Sequence, residues 1–392
     1  MRATRILHSV LRKSRISVHR SRLRSIFFAI EALINGGRLS CSGLGRGARS
    51  GVKPKHNIKR IDRLLGNTKL HRELRLFFKA ITQALIGKDS RPTILIDWTK
   101  IEYGKFSAMT AAVPIDGRAF PILWSVYDDS KWGNREVHMH FLLTLLTLLP
   151  DGCKPIIVTD AGFQNPWFEM LANFGWDWVG RTGAAKIKTQ SGDCWLPRED
   201  VFQMASLRPK DLGLCEVASS NPLQHRVVLG KRFRRNPCRP SAPRRRSDRA
   251  RGSQRAKGRS MEPWILVTSL LEEPALKING IYARRMQIEE CYRDTKNHRF
   301  GWSFEDARSS TAERYAVLLL VATLAMLALF VIGLVLELQE KQYLYQANTV
   351  RTKRVLSLFF LGKQVIHRPE MEAMRLRDLR AAFKHLSVMA NV

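Results

Sequence analysis

Acidic side chains are scarce in this sequence. The chain has 34 Asp and Glu residues against 66 Lys and Arg, which gives a formal net charge of +32, and no acid precedes Glu31. A charge imbalance this large points to nucleic acid or an anionic membrane as the partner.

Closely spaced cysteines are also missing. The six cysteines are scattered through the 392 residues without close pairs. This spacing excludes a disulfide framework and a cysteine zinc site, and it fits a reducing cytoplasm.

Two apolar runs of the sequence each end in an aspartate. Residues 93–97 read Thr-Ile-Leu-Ile-Asp and residues 156–160 read Ile-Ile-Val-Thr-Asp. Short β-branched runs without polar alternation predict strands that are covered on both faces, as in an α/β sheet. Ligands of such sheets bind at the carboxyl ends of the strands, although an aspartate there can also be a simple turn former.

A third carboxylate lies on a predicted helix, Tyr282 to Lys296, with Asn279 as its N-cap. At about 100° per residue, Tyr282, Arg285, Glu289 and Lys296 fall on one narrow stripe. The stripe combines one carboxylate with cations and a phenol, which favours a functional site. The alternative is an ordinary surface pair of Arg285 with Glu289 at i,i+4 spacing.

Three carboxylates from separate elements suit a pair of divalent cations. Mg²⁺ prefers oxygen ligands and keeps positions open for water and phosphate. Two such ions can activate the attacking oxygen and stabilise the leaving oxygen at a phosphodiester. The sequence therefore predicts a metal-dependent phosphoryl-transfer site at Asp97, Asp160 and Glu289.

The spacing of Tyr282, Arg285, Glu289 and Lys296 matches the Y-R-E-K signature of bacterial insertion-sequence transposases of the DDE class. The chain resembles the family numbered four, in the branch of the cut-and-paste transposases of composite tetracycline-resistance transposons. Three further segments carry the resemblance, which extends over most of the chain: Ile94–Trp98 (ILIDW), Val158–Phe163 (VTDAGF) and Lys55–Asn67 (KHNIKRIDRLLGN).

The resemblance implies an α/β fold, with a ribonuclease-H-like catalytic core, a β-rich insertion, an N-terminal helical DNA-binding domain and C-terminal helices. It implies two Mg²⁺ ions, with Mn²⁺ able to substitute, held by Asp97, Asp160 and Glu289. The expected substrates are double-stranded DNA at terminal inverted repeats and target DNA, cut through a hairpin intermediate. A homodimer in the synaptic complex, a location in the bacterial cytoplasm at the nucleoid, and no membrane are expected.

The same resemblance assigns DNA contacts to four side chains. Tyr282, Arg285 and Lys296 are expected to orient phosphates near the scissile bond, and Trp264 is expected to receive a flipped base. Stacking on an exposed indole contributes roughly 1 to 3 kcal/mol per base. A buried core residue is the alternative for Trp264.

The expected organisation follows from the elements and from the family order: 1–80 a helical DNA-binding domain, 88–185 the first part of the core, 186–272 the insertion, 273–342 the second part of the core, and 343–392 a C-terminal helical region. Helices are predicted over Leu23–Ile34 and Lys55–Leu65, and a hairpin is predicted over Phe106–Tyr127 around Asp116 and Gly117. The glycines at 43, 45, 47 and 51 predict a loose basic loop.

The basic start of the chain has two interpretations. Eight Lys or Arg residues lie in the first 24 positions. An organellar transit peptide has such a composition. The amphipathic helix that continues from Leu23 favours a DNA-binding start instead.

An Arg-rich run at 231–260 holds thirteen Lys or Arg residues and one acid. Its composition and its prolines predict a disordered loop. Sequence-blind contact with phosphates is one interpretation, and a drifted patch without a role is the other.

The stretch Tyr315 to Leu336 is apolar at every position except Thr323, counting Gly333 as apolar. By length it could span a membrane. A helix that is apolar all round can also be the central helix of a large α/β core, which is the interpretation that the flanking segments favour. Two rival classes follow from these observations: a DNA-binding protein without catalysis, and a single-span membrane protein with a basic face.

Overall fold

The computed structural model describes residues 4–14, 16–101, 104–190, 192–231, 262–347 and 349–391. The chain divides into two compact units. Unit 1 contains the described residues up to Pro155 and from Met286 onward, and unit 2 runs from Ile156 to Arg285. The Arg-rich run predicted at 231–260 lies outside the described residues, apart from Lys231.

Unit 1 begins with five helices: α1 (Arg5–Lys13), α2 (Arg20–Ile34), α3 (Cys41–Gly47), α4 (Pro54–Leu65) and α5 (Thr68–Leu85). The predicted helices over 23–34 and 55–65 are confirmed. Both bury the apolar face that their 3.6-residue period predicts, with Ile30 and Ile61 fully buried.

The loose loop predicted for the glycines at 43, 45 and 47 is wrong, because these residues form α3. The Ser40 hydroxyl caps the helix by accepting the Gly43 N–H at 3.1 Å. A Cβ added at Gly45 would lie 2.5 Å from Cγ1 of Ile58 on α4. Close packing of two helices therefore overrides the low helix propensity of glycine at this position.

Three antiparallel strands follow: β1 (Thr93–Ile101), β2 (Phe106–Ile115) and β3 (Arg118–Asp128). The predicted hairpin is confirmed. Asp116 and Gly117 form its turn with φ of 44° and 80°, the left-handed region that a tight hairpin turn needs. Helix α6 (Arg135–Leu148) comes next, and the Asn134 side chain caps it.

Unit 2 is built on strands β4 (Ile156–Thr159), β5 (Asp177–Arg181), β6 (Lys186–Thr189), β7 (Leu196–Pro197), β8 (Lys210–Val217), β9 (Leu223–Gly230) and β10 (Trp264–Thr268), with helices α7 (Asn165–Asn173), α8 (Arg198–Gln203) and α9 (Ala275–Ala283). Within the unit the strands are ordered β4-β5-β10-β9-β8-β6-β7. Strands β4 and β5 are parallel, and the other pairs are antiparallel. A β-rich segment after the second aspartate is confirmed.

The second segment of unit 1 contains α10 (Met286–Lys296), α11 (Ala312–Leu338), α12 (Leu358–Val365), α13 (Pro369–Ala373) and α14 (Leu376–Ala390). From β1 to β5 the chain thus runs strand, hairpin, helix, strand, helix and strand. A mixed α/β fold with C-terminal helices is confirmed.

Helix α11 is the only helix of the described residues that is long and apolar enough to cross a membrane, and its most apolar stretch is wholly buried in protein. It contacts α2, α5, α12, α14 and β3, all in unit 1. Gly333 and Gly362 permit its close approach to α12, since an added Cβ would lie 2.1 Å from a backbone carbonyl oxygen in each case. The interpretation of this segment as a central core helix is confirmed.

Candidate active site

Asp97 lies within β1, half-buried, where β1 pairs with β2. Its Oδ1 accepts the backbone N–H of Trp98 at 2.9 Å. The Tyr292 hydroxyl of α10 donates to the backbone carbonyl of Asp97 at 3.2 Å. The helix that carries Glu289 is therefore attached to β1 at the aspartate itself.

Lys296 makes a second attachment between α10 and β1. Its Nζ donates to Oγ1 of Thr99 at 2.7 Å and to the carbonyl oxygen of Lys100. Burial lowers the pKa of the Lys296 ammonium, and the carboxylates of Glu305 and Asp97 act in the opposite direction. A cation is thus held in the electrostatic field of Asp97.

Glu289 lies in the first turn of α10 and is exposed. Residues three and seven positions apart share one face of a helix. Glu289 therefore lies on the same face of α10 as Tyr292 and Lys296, the two residues that contact β1. Unit 1 brings together Asp97, Lys296 and the face of α10 that carries Glu289.

Asp160 belongs to unit 2, where it directly follows β4 and is half-buried. Its Oδ1 accepts the Gly162 N–H at 2.9 Å, which fixes the carboxylate in a tight turn at the carboxyl end of the strand. The run at 156–159 forms this strand, and all four of its residues are buried, as expected for a β-branched strand covered on both faces.

Tyr282, Arg285 and Asp160 lie near one another in unit 2. Tyr282 is 4% exposed, and the pKa of its hydroxyl is raised to about 12, mainly by burial and in the same direction by the charge of Asp160. The Arg285 and Arg181 guanidinium groups act in the opposite direction, and Arg285 also forms a hydrogen bond with the Tyr282 hydroxyl. One carboxylate and two guanidinium groups are therefore gathered around a buried phenol.

The single helix predicted over 282–296 is wrong. Helix α9 ends at Ala283 and α10 begins at Met286. Between them, Arg284 and Arg285 form a turn whose N–H groups donate to carbonyl oxygens three residues back, at 3.2 and 2.9 Å. The phase of 100° per residue does not continue across this turn, so the four signature residues do not form one helical stripe.

The N-cap predicted at Asn279 is also wrong. Asn279 lies inside α9 and is 6% exposed, and Pro274 occupies the cap position. The preceding apolar residues continue the helix backward, which a cap assignment from residue type alone does not detect.

Trp264 at the start of β10 is 8% exposed. Its ring meets the Tyr282 ring edge-on, with centroids 4.9 Å apart and an angle of 70° between the planes. The structure thus shows the core position that was the alternative for this residue. Contact with a flipped base stays a prediction, and it requires the indole to leave this packing.

Two residues of the site were not identified from the sequence. Tyr292 lies outside the Y-R-E-K signature, yet its hydroxyl donates to the backbone carbonyl of Asp97. Arg181 closes β5, acts on Tyr282, and pairs with Glu262 at 3.0 Å. A signal for Arg181 is present in the sequence, because this charged residue follows the buried residues Val179 and Gly180 at the end of β5, as Asp160 follows the buried strand β4.

The three predicted metal ligands offer only carboxylate oxygens, the donor type that Mg²⁺ and Mn²⁺ prefer. A backbone N–H orients the carboxylate of Asp97 and that of Asp160, which suits metal ligands. Within the part of the chain that the structure describes, no group of three or more His, Cys, Asp or Glu side chains is arranged to hold a metal ion.

Comparison with known proteins gives one family. The family model of the transposase DDE domain matches residues 88–327, more than half of the chain. The match includes Asp97, Asp160 and Glu289. No curated protein sequence matches the chain. The chain belongs to the DDE transposase family, and it is a metal-dependent transposase of the DDE class.

Proposed function

We propose that this transposase moves an insertion sequence by cut-and-paste transposition. It would hydrolyse phosphodiesters at terminal inverted repeats, form a hairpin intermediate and join the freed ends to target DNA, as a homodimer at the nucleoid of the bacterial cytoplasm. The observation that carries this proposal is the attachment of α10 to β1 through Tyr292 and Lys296, beside Asp97.

Asp97, Asp160 and Glu289 are the proposed metal ligands. When bound, two Mg²⁺ ions would supply an activated water and charge stabilisation for the leaving oxygen. Residues of the chain position these ligands: Trp98 N–H orients Asp97, and Gly162 N–H orients Asp160. The hydrogen bond from Tyr292 holds the Glu289 helix at β1.

The cationic residues of the signature are proposed to hold the DNA backbone. Arg285 can grip a phosphate with two parallel hydrogen bonds, which a planar guanidinium allows. Lys296 is a point charge fixed on β1, and a bound phosphate would compete with Thr99 for it. Tyr282 orients Arg285 through the hydrogen bond between them.

Helix α4, one of the N-terminal helices, is proposed to bind the inverted repeats. Helix α4 exposes Lys55, Lys59, Arg60 and Arg63, while Ile61 and Leu64 anchor its other face in the core. Arg60 also lies over the Phe28 ring of α2 at 4.0 Å. A cationic helix face fixed on a small core is a suitable contact for a DNA backbone.

The test is the reaction itself. The purified chain is incubated with a duplex that ends in its element's inverted repeat, with and without Mg²⁺, and the products are sized. Nicked, hairpin and fully cut species are expected only with metal. Asp97→Asn and Asp160→Asn are each expected to lower the cleavage rate by a factor of about 10³ or more, because each removes a charged metal ligand, while DNA binding stays unchanged.

Glu216→Gln is the matched control, since it removes one exposed carboxylate from β8 of unit 2. Cleavage at the wild-type rate by either aspartate variant would overturn the metal assignment. A wild-type chain that makes nicks but no hairpin in Mg²⁺ would overturn the proposed route and leave the metal assignment standing.

A further inference from the structure

A cleft of about 1310 Å³ lies in unit 1 between α1, α5 and α14. It is lined by side chains from both ends of the chain, since α1 begins at Arg5 and α14 ends at Ala390. The cleft involves no residue of the candidate active site and none of the exposed cations of α4.

Exposed cations border this cleft from two helices. Arg5 and Arg12 lie seven residues apart, on one face of α1, with Lys13 beside them. Arg380 borders the cleft from α14. No acidic side chain lines the cleft, and none of these four cations forms an ion pair with any carboxylate of the described residues.

Cations that share a solvent-filled space without a counter-charge repel one another, so an anion between them stabilises the arrangement. Two uncharged polar side chains of the cleft, Ser9 and Gln83, can donate hydrogen bonds, whereas the Ser14 hydroxyl donates to the Val10 carbonyl oxygen at 3.1 Å. The apolar part of its lining includes Val10 and Phe383. Charge, donors and apolar surface together suit a sugar-phosphate chain, whose sugars are the less polar part.

We propose that this cleft binds the phosphate backbone of the target DNA duplex, apart from the end that is cut. The inference rests on the proposed strand transfer, because joining an end to a target requires the enzyme to hold a second duplex. Long cationic side chains contact phosphates without reading bases. A contact of this kind is sequence-blind, as binding of varied target sequences requires.

The first experiment measures equilibrium binding of a labelled 30-base-pair duplex of random sequence, without any inverted repeat, to the full chain over a range of salt. The test variant is Arg5→Ala with Arg12→Ala and Arg380→Ala. Each lost phosphate contact lowers the slope of log K against log salt by about 0.9. The expected result is a slope smaller by roughly 2 to 3 and an affinity about 10- to 100-fold lower near 0.15 M salt.

The control variant combines Lys154→Ala, Arg208→Ala and Lys210→Ala, which removes three exposed cations outside the cleft. Its binding is expected to match that of the wild type. If the cleft variant also retains the wild-type slope and affinity, the proposal is overturned. It is equally overturned if the cleft variant loses affinity for polyglutamate but not for the duplex, because the cleft would then fit an acidic protein segment.

A second experiment separates this inference from the proposed function. A pre-cut end with a free 3′-hydroxyl is joined to a supercoiled plasmid in Mg²⁺, and cleavage of an uncut end is measured in parallel. The cleft variant is expected to cut ends at the wild-type rate and to join them to the plasmid about tenfold less. Normal cutting with normal joining refutes the cleft assignment alone, whereas a wild type that neither cuts nor joins refutes the proposed function.

Because the altered residues are exposed, the cleft variant is expected to fold, and its end cleavage reports this directly. A dye attached at Ser9→Cys, in a chain that also carries Cys41→Ser, Cys194→Ser and Cys238→Ser, gives an independent measurement. Its fluorescence is expected to change on adding the random duplex and to return when salt releases the DNA. An unchanged signal at saturating duplex contradicts the proposal.

Discussion

Trp98 follows Asp97 on β1 and ties it to α6. The indole N–H of Trp98 is a donor only, and it donates to Nε2 of His138 at 3.2 Å. Nε2 of His138 must therefore carry no proton, so the imidazole is neutral. Burial lowers the pKa of His138 to about 4, which is consistent with this neutral acceptor role.

This neutral histidine predicts a pH dependence of stability. The pKa of His138 is about 4 in the folded chain and 6.5 in its ordinary state, so the unfolded chain binds more protons between these values. The contribution to the free energy of unfolding is fully present above pH 6.5 and is lost as the pH falls toward 4. The size of this contribution is roughly 3 kcal/mol.

The measurement is denaturant unfolding of the wild type and of His138→Gln between pH 4 and pH 7.5. The variant is expected to be less stable at pH 7.5 and to lose less stability on acidification. His56→Gln, an exposed position on α4, serves as the control and is expected to follow the wild type. An identical pH slope for His138→Gln and the wild type would contradict the neutral state of this histidine.

Trp264 and Tyr282 show how a signature residue can also be a core residue. Their rings pack edge-on, and an aromatic pair of this kind contributes about 0.5 to 1.5 kcal/mol beyond the burial of area. The burial of Trp264 could be predicted from the sequence, because it begins an uninterrupted apolar run, Trp264–Val267. The buried position of Tyr282 could not, since a helical stripe of mixed charge suggested an exposed face.

At the scale of secondary-structure elements, the spacing of apolar residues and the residue types at turns predicted the elements that depend on local sequence. The hairpin follows from Asp116 and Gly117 between two apolar runs, and α2 follows from its helical spacing. The break between α9 and α10 was not predictable, because Arg284 and Arg285 are good helix formers and neither glycine nor proline marks the turn.

Helix α3 was not predicted, because its glycines have low helix propensity. The same glycines permit the close contact of α3 with α4. Gly45→Ala is therefore expected to destabilise the N-terminal helices. The added methyl group would lie within 2.7 Å of Ile58 backbone and side-chain atoms and force the two helices apart. A loss of about 1 to 3 kcal/mol in the free energy of unfolding is typical of such overpacking.

Gly51→Ala is the matched control for this substitution. An added Cβ at Gly51 meets nothing within 4 Å, so the variant is expected to be neutral or slightly stabilising. Thermal unfolding and binding to an inverted-repeat duplex are measured for both variants. Equal stability of the two would show that the contact between α3 and α4 does not constrain this region.

At the scale of the whole molecule, the candidate site draws on distant parts of the chain. Asp97, Asp160 and Glu289 were predictable as separate features, because each lies beside an apolar pattern in the sequence. The passage from unit 2 to unit 1 between Arg285 and Met286 divides the signature into a Tyr-Arg half and a Glu-Lys half. No change in residue composition marks this passage between the units, so the sequence predicted all four signature residues on one helix.

Packing against the other elements of unit 1 distinguishes a core helix from a membrane span for α11. Leu327 is fully buried near the middle of this helix, whereas Leu338 at its end is 50% exposed. Burying an unpaired carboxylate costs several kcal/mol. Leu327→Asp is therefore expected to abolish folding and to leave the chain aggregated, while Leu338→Asp is expected to be tolerated.

The measurement is fractionation of cell extracts at high salt without detergent, which releases chains held to membranes by charge alone. The wild type and Leu338→Asp are expected in the supernatant and able to bind DNA, because the apolar surface of α11 is covered by other elements of unit 1. Recovery of the wild type only with detergent would contradict this, since a helix already covered by protein has no apolar surface left to offer to lipid.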